Sequence, residues 1–133
     1  MKVIFPAEDE ALNDVNAFVE QQLEEAGCSP KNQMKIMVAL EELFVNVAHY
    51  AYGAEKGQVE IELDFEDKDM ILKLKDSGKP FNPLAKLDPD VTLSAEERDI
   101  GGLGIFMVKK SMDKVDYKYE DGQNIIIIRH CIA

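Results

Sequence analysis

Cysteine, positive charge and long apolar runs are all scarce in this sequence, and each shortage closes off a class of protein. Only Cys28 and Cys131 are present, far apart and without metal-ligand spacing, which fits reduced thiols better than a disulfide framework. Lys and Arg number 15 against 26 Asp and Glu, a formal net charge of -11. Such a surface repels phosphate backbones and anionic lipid, so neither a direct nucleic-acid partner nor a membrane is expected. A triphosphate bound by so acidic a chain would need local neutralisation. No apolar run approaches the ~20 residues needed to span a bilayer, and Met1 to Pro6 lacks the length of a secretory signal. The expected location is cytoplasmic. Internal repeats and low-complexity tracts are absent. Two familiar phosphate loops are missing too: there is no Gly-x-x-x-x-Gly-Lys-[Ser/Thr], and Gly102-x-Gly104 is followed by Met107 where a dinucleotide fingerprint requires Gly or Ala.

What remains is an ordinary globular composition. An apolar fraction of 46% over 133 residues supports one core and one domain spanning residues 1–133. Val3-Ile4-Phe5 reads as a short strand closed by Pro6. Residues 8–26 carry Leu12, Val15, Phe18, Val19 and Leu23 at helical spacing before Gly27 stops them. Ser29-Pro30 supplies an N-cap and a proline at the first helical position of a second helix over about 30–52. Strict alternation then marks a half-buried strand at Val59, Ile61, Leu63 and Phe65, and a second strand runs from Met70 to Asp76 after the Asp67-Lys68-Asp69 turn. Asp76 continues the parity of Met70, Leu72 and Leu74, which turns a carboxylate toward the core. Residues 79–100, with Pro80, Pro83 and Pro89 and no periodicity, read as a lid. A glycine-started helix over 101–112 and a hairpin turning at Asp121-Gly122 complete the chain. Strand hairpins and helices without regular strand-helix-strand units predict an α+β fold with helices on one face of the sheet.

Three groups of residues could carry chemistry. On the second helix Glu42, Asn46 and His49 form one row. That row is either the plain solvated face of an amphipathic helix or the wall of a pocket. In a pocket, Glu42 could act as a general base and Asn46 could offer Mg²⁺ an oxygen ligand. Asp76-Ser77-Gly78 is either a plain turn or an acceptor for a ligand amine such as adenine N6, with Gly78 admitting a flat base. Gly101-Gly102-Leu103-Gly104 opens a helix, as a hinge or as a phosphate seat made of free N–H groups. The four tyrosines Tyr50, Tyr52, Tyr117 and Tyr119 read as core or sheet pairs.

Taken in order, Glu42-x-x-x-Asn46, Asp76-x-Gly78 and Gly102-x-Gly104 resemble the N, G1 and G2 boxes of the GHKL ATPase superfamily. Within it the chain is similar to the bacterial anti-sigma factor serine/threonine kinases, through residues 41–52, 76–83 and 101–108. The resemblance implies a Bergerat-type two-layer α/β sandwich, its mixed sheet covered on one face by helices. It implies ATP and Mg²⁺ as cofactors, with Glu42 as catalytic base and Asn46 as metal ligand. Asp76 would bind the adenine amine, and Gly78, Phe81, Gly101, Gly102, Leu103 and Gly104 would complete the nucleotide site. It further implies an ATP-dependent serine/threonine protein kinase that phosphorylates an anti-anti-sigma-like partner, with a sigma factor as a further partner and a homodimer as the usual assembly. The alternatives are an anti-sigma binding module that uses ATP without phosphotransfer, and an ATPase module. The chain departs from the family pattern at Asn82, where many relatives have aspartate, and at Gly122-Gln123-Asn124, which lacks a threonine common near that strand in sensor kinases.

Overall fold

A computed structural model describes residues 1–52, 56–82 and 102–133 of the chain, the first two residues of its third helix by backbone alone. The elements run β1 (Lys2–Pro6), α1 (Leu12–Glu25), α2 (Pro30–Tyr50), β2 (Gln58–Glu66), β3 (Asp69–Asp76), α3 (Gly102–Ser111), β4 (Lys114–Glu120) and β5 (Gln123–Cys131). One 3-10 turn, Asp9–Ala11, leads into α1. The lid expected at 79–100 lies, beyond residue 82, outside the described residues, as does Gly101.

Local chemistry accounts for the boundaries. Gly27 sits at φ +79°, and the N–H groups of Gly27 and Cys28 bond back to the carbonyls of Glu24 and Leu23. This double bond pattern ends α1 and satisfies carbonyls that the helix leaves orphaned. Ser29 then caps α2, its Oγ accepting from the Asn32 N–H at 3.3 Å, with Pro30 in the first helical position. Asp121 and Gly122 both take positive φ, 53° and 77°, as a tight Asp-Gly hairpin turn requires.

The strands form one sheet in the order β1-β2-β3-β5-β4. Every pairing among the described strands is antiparallel, so the expected mixed sheet is corrected to a wholly antiparallel one. The reason is an insertion: β3 and β4 run in the same direction on either side of α3, but β5 lies between them and pairs antiparallel with both. In register, Asp76 pairs with Val59 on one side and Asn124 on the other.

The two layers follow from side-chain parity. Val59, Ile61 and Leu63 of β2, Met70, Leu72 and Leu74 of β3 and Ile126 and Ile128 of β5 face the helices. Against them lie Val15, Val19 and Leu23 of α1, the arc Ile36, Leu40, Leu43, Phe44 and Val47 of α2, and Ile105, Val108 and Met112 of α3. Burial of each large side chain contributes about 1.5–3 kcal/mol. A buried imidazole fastens the far end of this layer. His130 Nδ1 accepts from the Asp113 N–H at 3.1 Å while its Nε2 donates to Asn32 Oδ1 at 3.2 Å, tying β5 to the start of α2 and to the α3–β4 turn. No helix among the described residues is long and apolar enough to cross a membrane.

The other sheet face is charged. Lys75 Nζ lies 3.5 Å from Glu60 and 3.2 Å from Glu62. Burial alone would push the Glu62 carboxyl up, but its hydrogen bond to Lys75 and the charges of Lys75, Lys2 and Lys73 outweigh burial and hold it below its ordinary value.

Phe44 is fully buried at the centre of the core, so Phe44→Ala is expected to cost about 3–5 kcal/mol, read from a lower denaturant midpoint at unchanged slope. Because the folded state lowers the Glu62 pKa, its stabilisation is present above the usual carboxylate pKa of about 4.3 and fades as pH falls through the folded value. Glu62→Gln should therefore cost under about 1 kcal/mol at neutral pH, and that deficit should shrink toward acid in pH-dependent melts.

Candidate functional site

The buried arc of α2 fixes which of its side chains look outward. With Leu43, Phe44 and Val47 held in the core, Glu42 and His49 are exposed and Asn46 is half-buried, all on one flank. His49 does not stand alone: both Asp9 carboxylate oxygens lie 2.9 Å from its Nε2, a pairing that ties α2 to the turn before α1.

At one end of this flank α3 begins. A Cβ built on Gly104 would fall on the Glu42 carboxylate, whose carboxyl carbon lies 2.9 Å from that position. Glycine is thus what lets the first turn of α3 lie against Glu42. Gly102 and Leu103 form the same first turn, where N–H groups lack helical partners and point toward any anion placed there. Their side chains and Gly101 are outside what the structure describes.

At the other end sits Asp76, only 6% exposed at the last position of β3. Its Oδ1 accepts from the Gly78 N–H at 2.9 Å and from Asn124 Nδ2 at 3.0 Å, which uses both lone pairs of that oxygen. Oδ2 takes no hydrogen bond from the described residues. Gly78 is pressed against the chain itself: an added Cβ would meet the Ala51 carbonyl and would lie 2.8 Å from the Ala51 Cβ. The Lys79 N–H donates to that same carbonyl at 3.1 Å, so the turn after β3 is pressed onto the end of α2. Tyr52 adds a second fastening, its hydroxyl accepting from the Ser77 N–H at 2.9 Å and donating to the Gln58 carbonyl.

Asn124 is the residue that sequence reasoning noticed only as a missing threonine. It is 5% exposed on β5, directly across from Asp76. Besides Asp76, its Nδ2 donates to the Lys79 carbonyl at 2.8 Å and reaches the Gly78 carbonyl at 3.5 Å. Its Oδ1 accepts from the Phe81 N–H at 3.0 Å and from the Tyr117 hydroxyl. Burial pushes the Tyr117 phenol up, and the neighbouring Asp76 charge adds to this against the opposing hydrogen bond at Phe81, so the hydroxyl stays a donor. The signal for Asn124 was available: it shares the inward parity of Ile126 and Ile128, the same reasoning that singled out Asp76.

Between the two ends lies a cavity of about 280 Å³ lined by Asn46, Tyr50, Lys79, Pro80 and Phe81. Tyr50, expected among core or sheet pairs, instead forms part of this wall, while Tyr52 and Tyr117 do pack against the core. A larger hollow of about 600 Å³ opens beyond Tyr52, lined by Ile4, Glu60, Lys75 and Gln123 on the charged sheet face, and of the three boxes it touches only Ser77. We place the candidate site at the smaller cavity because Asn46 and Phe81 line it and it lies between the Gly78–Ala51 and Gly104–Glu42 contacts along α2. No group of three or more acidic, histidine or cysteine side chains that could hold a metal occurs among the described residues. Asn46 on the cavity wall could offer a metal an oxygen, and Lys79 and the start of α3 could lend positive potential to an anion bound there.

Comparison with known proteins places this arrangement. A family model described as a histidine kinase-like ATPase domain matches residues 5–130. A serine-protein kinase RsbW of Listeria monocytogenes is 31% identical over 111 residues, covering 79% of this chain and 70% of its own length. Among solved structures, the RsbU and RsbW domains of a Mycobacterium tuberculosis protein superpose with a TM-score of 0.66 at 15% identity, covering 99% of this chain, which spans only 32% of that one. The SiaB–SiaC complex of Pseudomonas aeruginosa gives a TM-score of 0.59 at 17% identity, covering 99% of this chain and 89% of the other. At such identities the solved structures establish the fold alone. The family match over nearly the whole length, together with the RsbW relative, shows that the chain belongs to the histidine kinase-like (GHKL) ATPase family.

Proposed function

We propose that the protein is an ATP-dependent serine/threonine kinase that switches a regulatory partner protein. The observation that carries this is the order of contacts along α2: Gly78 and the Asp76 turn lie at Ala51, the cavity at Asn46 and Tyr50, and the α3 start at Glu42. Base, metal and phosphate seats would thus follow one another along a single helix. In this reading Oδ2 of Asp76 accepts from the adenine amine, and Gly78 and Phe81 shape the base end. Gly101 to Gly104 offer N–H groups to the phosphates. Asn46 would hold Mg²⁺, which would supply charge neutralisation to the phosphates. The partner's hydroxyl oxygen attacks the γ-phosphorus as the bond to the β–γ bridging oxygen breaks, and ADP leaves. Glu42, at the phosphate end, orients that hydroxyl and receives its proton, help worth about 10²–10⁴-fold.

The relatives named serine-protein kinase favour phosphotransfer, and a neighbour solved as a two-protein complex favours a protein partner. By the resemblance of its motifs, that partner is of anti-anti-sigma type, a sigma factor is the protein ultimately controlled, and a symmetric dimer is the default assembly. A second reading, ATP-dependent anti-sigma binding without transfer, has the same fold and the same nucleotide seat, so only the reaction separates the two.

Incubation with γ-labelled ATP and candidate anti-anti-sigma proteins is expected to label a serine or threonine of the partner. Glu42→Ala should abolish that label while nucleotide still binds. Binding of a partner with no label in any pairing would favour the second reading, and steady phosphate release without an acceptor would favour a plain ATPase. Asp76→Asn presents donors where an acceptor is wanted and should weaken adenine nucleotide binding by about 1–3 kcal/mol in calorimetry. An unchanged affinity would remove Asp76 from the base seat.

A further inference from the structure

We infer that Asn124 is a positioning residue that sets the site's preference for the adenine amine without touching the nucleotide, an inference that rests on the role proposed for Asp76. A carboxamide has two donor hydrogens and two acceptor lone pairs. In Asn124 all four are used inside the protein. The hydrogens go to Asp76 Oδ1 at 3.0 Å and the Lys79 carbonyl at 2.8 Å, with the Gly78 carbonyl more distant at 3.5 Å. The lone pairs receive the Phe81 N–H at 3.0 Å and the Tyr117 hydroxyl. Nothing is left to offer a ligand, and the side chain is 5% exposed.

Its effect on Asp76 is directional. A lone carboxylate on a strand end can turn about its Cβ–Cγ bond and aim its oxygens in many directions. With Oδ1 held by Asn124 on one side and by the Gly78 N–H on the other, rotation would break two bonds in a buried setting. The plane of the carboxylate, and with it the direction of Oδ2, is therefore held, and in the proposed site Oδ2 is the oxygen that would meet a base. The same amide also holds the carbonyl of Lys79 and the N–H of Phe81, two residues that line the cavity. One side chain thus sets both the orientation of the acceptor and the shape of the wall beside it.

The readout that separates positioning from mere structural support is the choice between ATP and purine riboside triphosphate, which lacks the exocyclic amine. Wild-type protein should bind ATP more tightly by about 10- to 100-fold, the range for a hydrogen bond to a charged acceptor. In Asn124→Ser that ratio should collapse toward one, with affinity for the amine-free analogue changing far less. Asn124→Asp supplies a second, pH-dependent readout. The new carboxyl would face the Asp76 carboxylate of β3, the Tyr117 phenol of β4 and the carbonyls of Gly78 and Lys79, and it can keep the donor bond to Asp76 only when protonated. Its pKa in the ordered site is therefore raised, so the ATP preference should be present at acid pH and lost as pH rises through that value, while the wild-type ratio stays level. A wild-type ratio near one would overturn the reading of Asp76 and this inference with it. A strong wild-type ratio that survives in Asn124→Ser, or a ratio in Asn124→Asp that does not move with pH, would overturn the role of Asn124 alone.

Discussion

The burial of one arc of α2 is the contact on which the rest depends. Ile36, Leu40, Leu43, Phe44 and Val47 share a core with the inward residues of β2, β3 and β5, and that packing fixes both the height of the helix over the sheet and its rotation. Rotation is what matters for chemistry. A helix turns by about 100° per residue, so once Leu43 and Phe44 are seated, the directions of Glu42 and Asn46 are no longer free. The core and the candidate site are two faces of one constraint.

The second requirement is polar and buried. Asp76 and Asn124 stand opposite one another on β3 and β5, on a sheet face that is otherwise filled, apart from His130 at its far end, with Val, Leu, Ile and Met. A carboxylate there would be costly if isolated, and it is kept by hydrogen bonds from a backbone N–H and a carboxamide. The pair is also what stops the apolar face from continuing to the end of the strands. Tyr117 and Tyr52 border the same region with hydroxyl groups that satisfy groups of the strand ends, so the sheet's edge at the site is a bonded network rather than an open cut.

Much of this was legible in the residue order. Period and parity located the two long helices, the β2–β3 hairpin and the inward carboxylate at Asp76, because those signals depend only on neighbours along the chain. Sheet order was not legible, since the insertion of β5 between β3 and β4 is decided by packing across the whole layer and leaves no local mark. The glycine at 78 is required within the chain itself, since an added Cβ would meet Ala51, a residue 27 positions away. A sequence announces that something must come close to a glycine; it does not say what. Asn124 escaped for another reason: it was judged against a family pattern as a departure, when its place in the inward parity of an isoleucine-rich strand already marked it as a buried polar group needing partners.

The continuity of α2 has one more consequence. Glu42 and Ala51 are nine residues apart on an unbroken helix, which at about 1.5 Å per residue separates the two ends of the site by roughly 13 Å. The helix therefore behaves as a ruler whose length is set by backbone hydrogen bonds and not by side-chain choice. Lengthening it by one residue between those positions would swing one end about a quarter-turn off the shared flank, so the chain can vary its surface widely but must keep this interval.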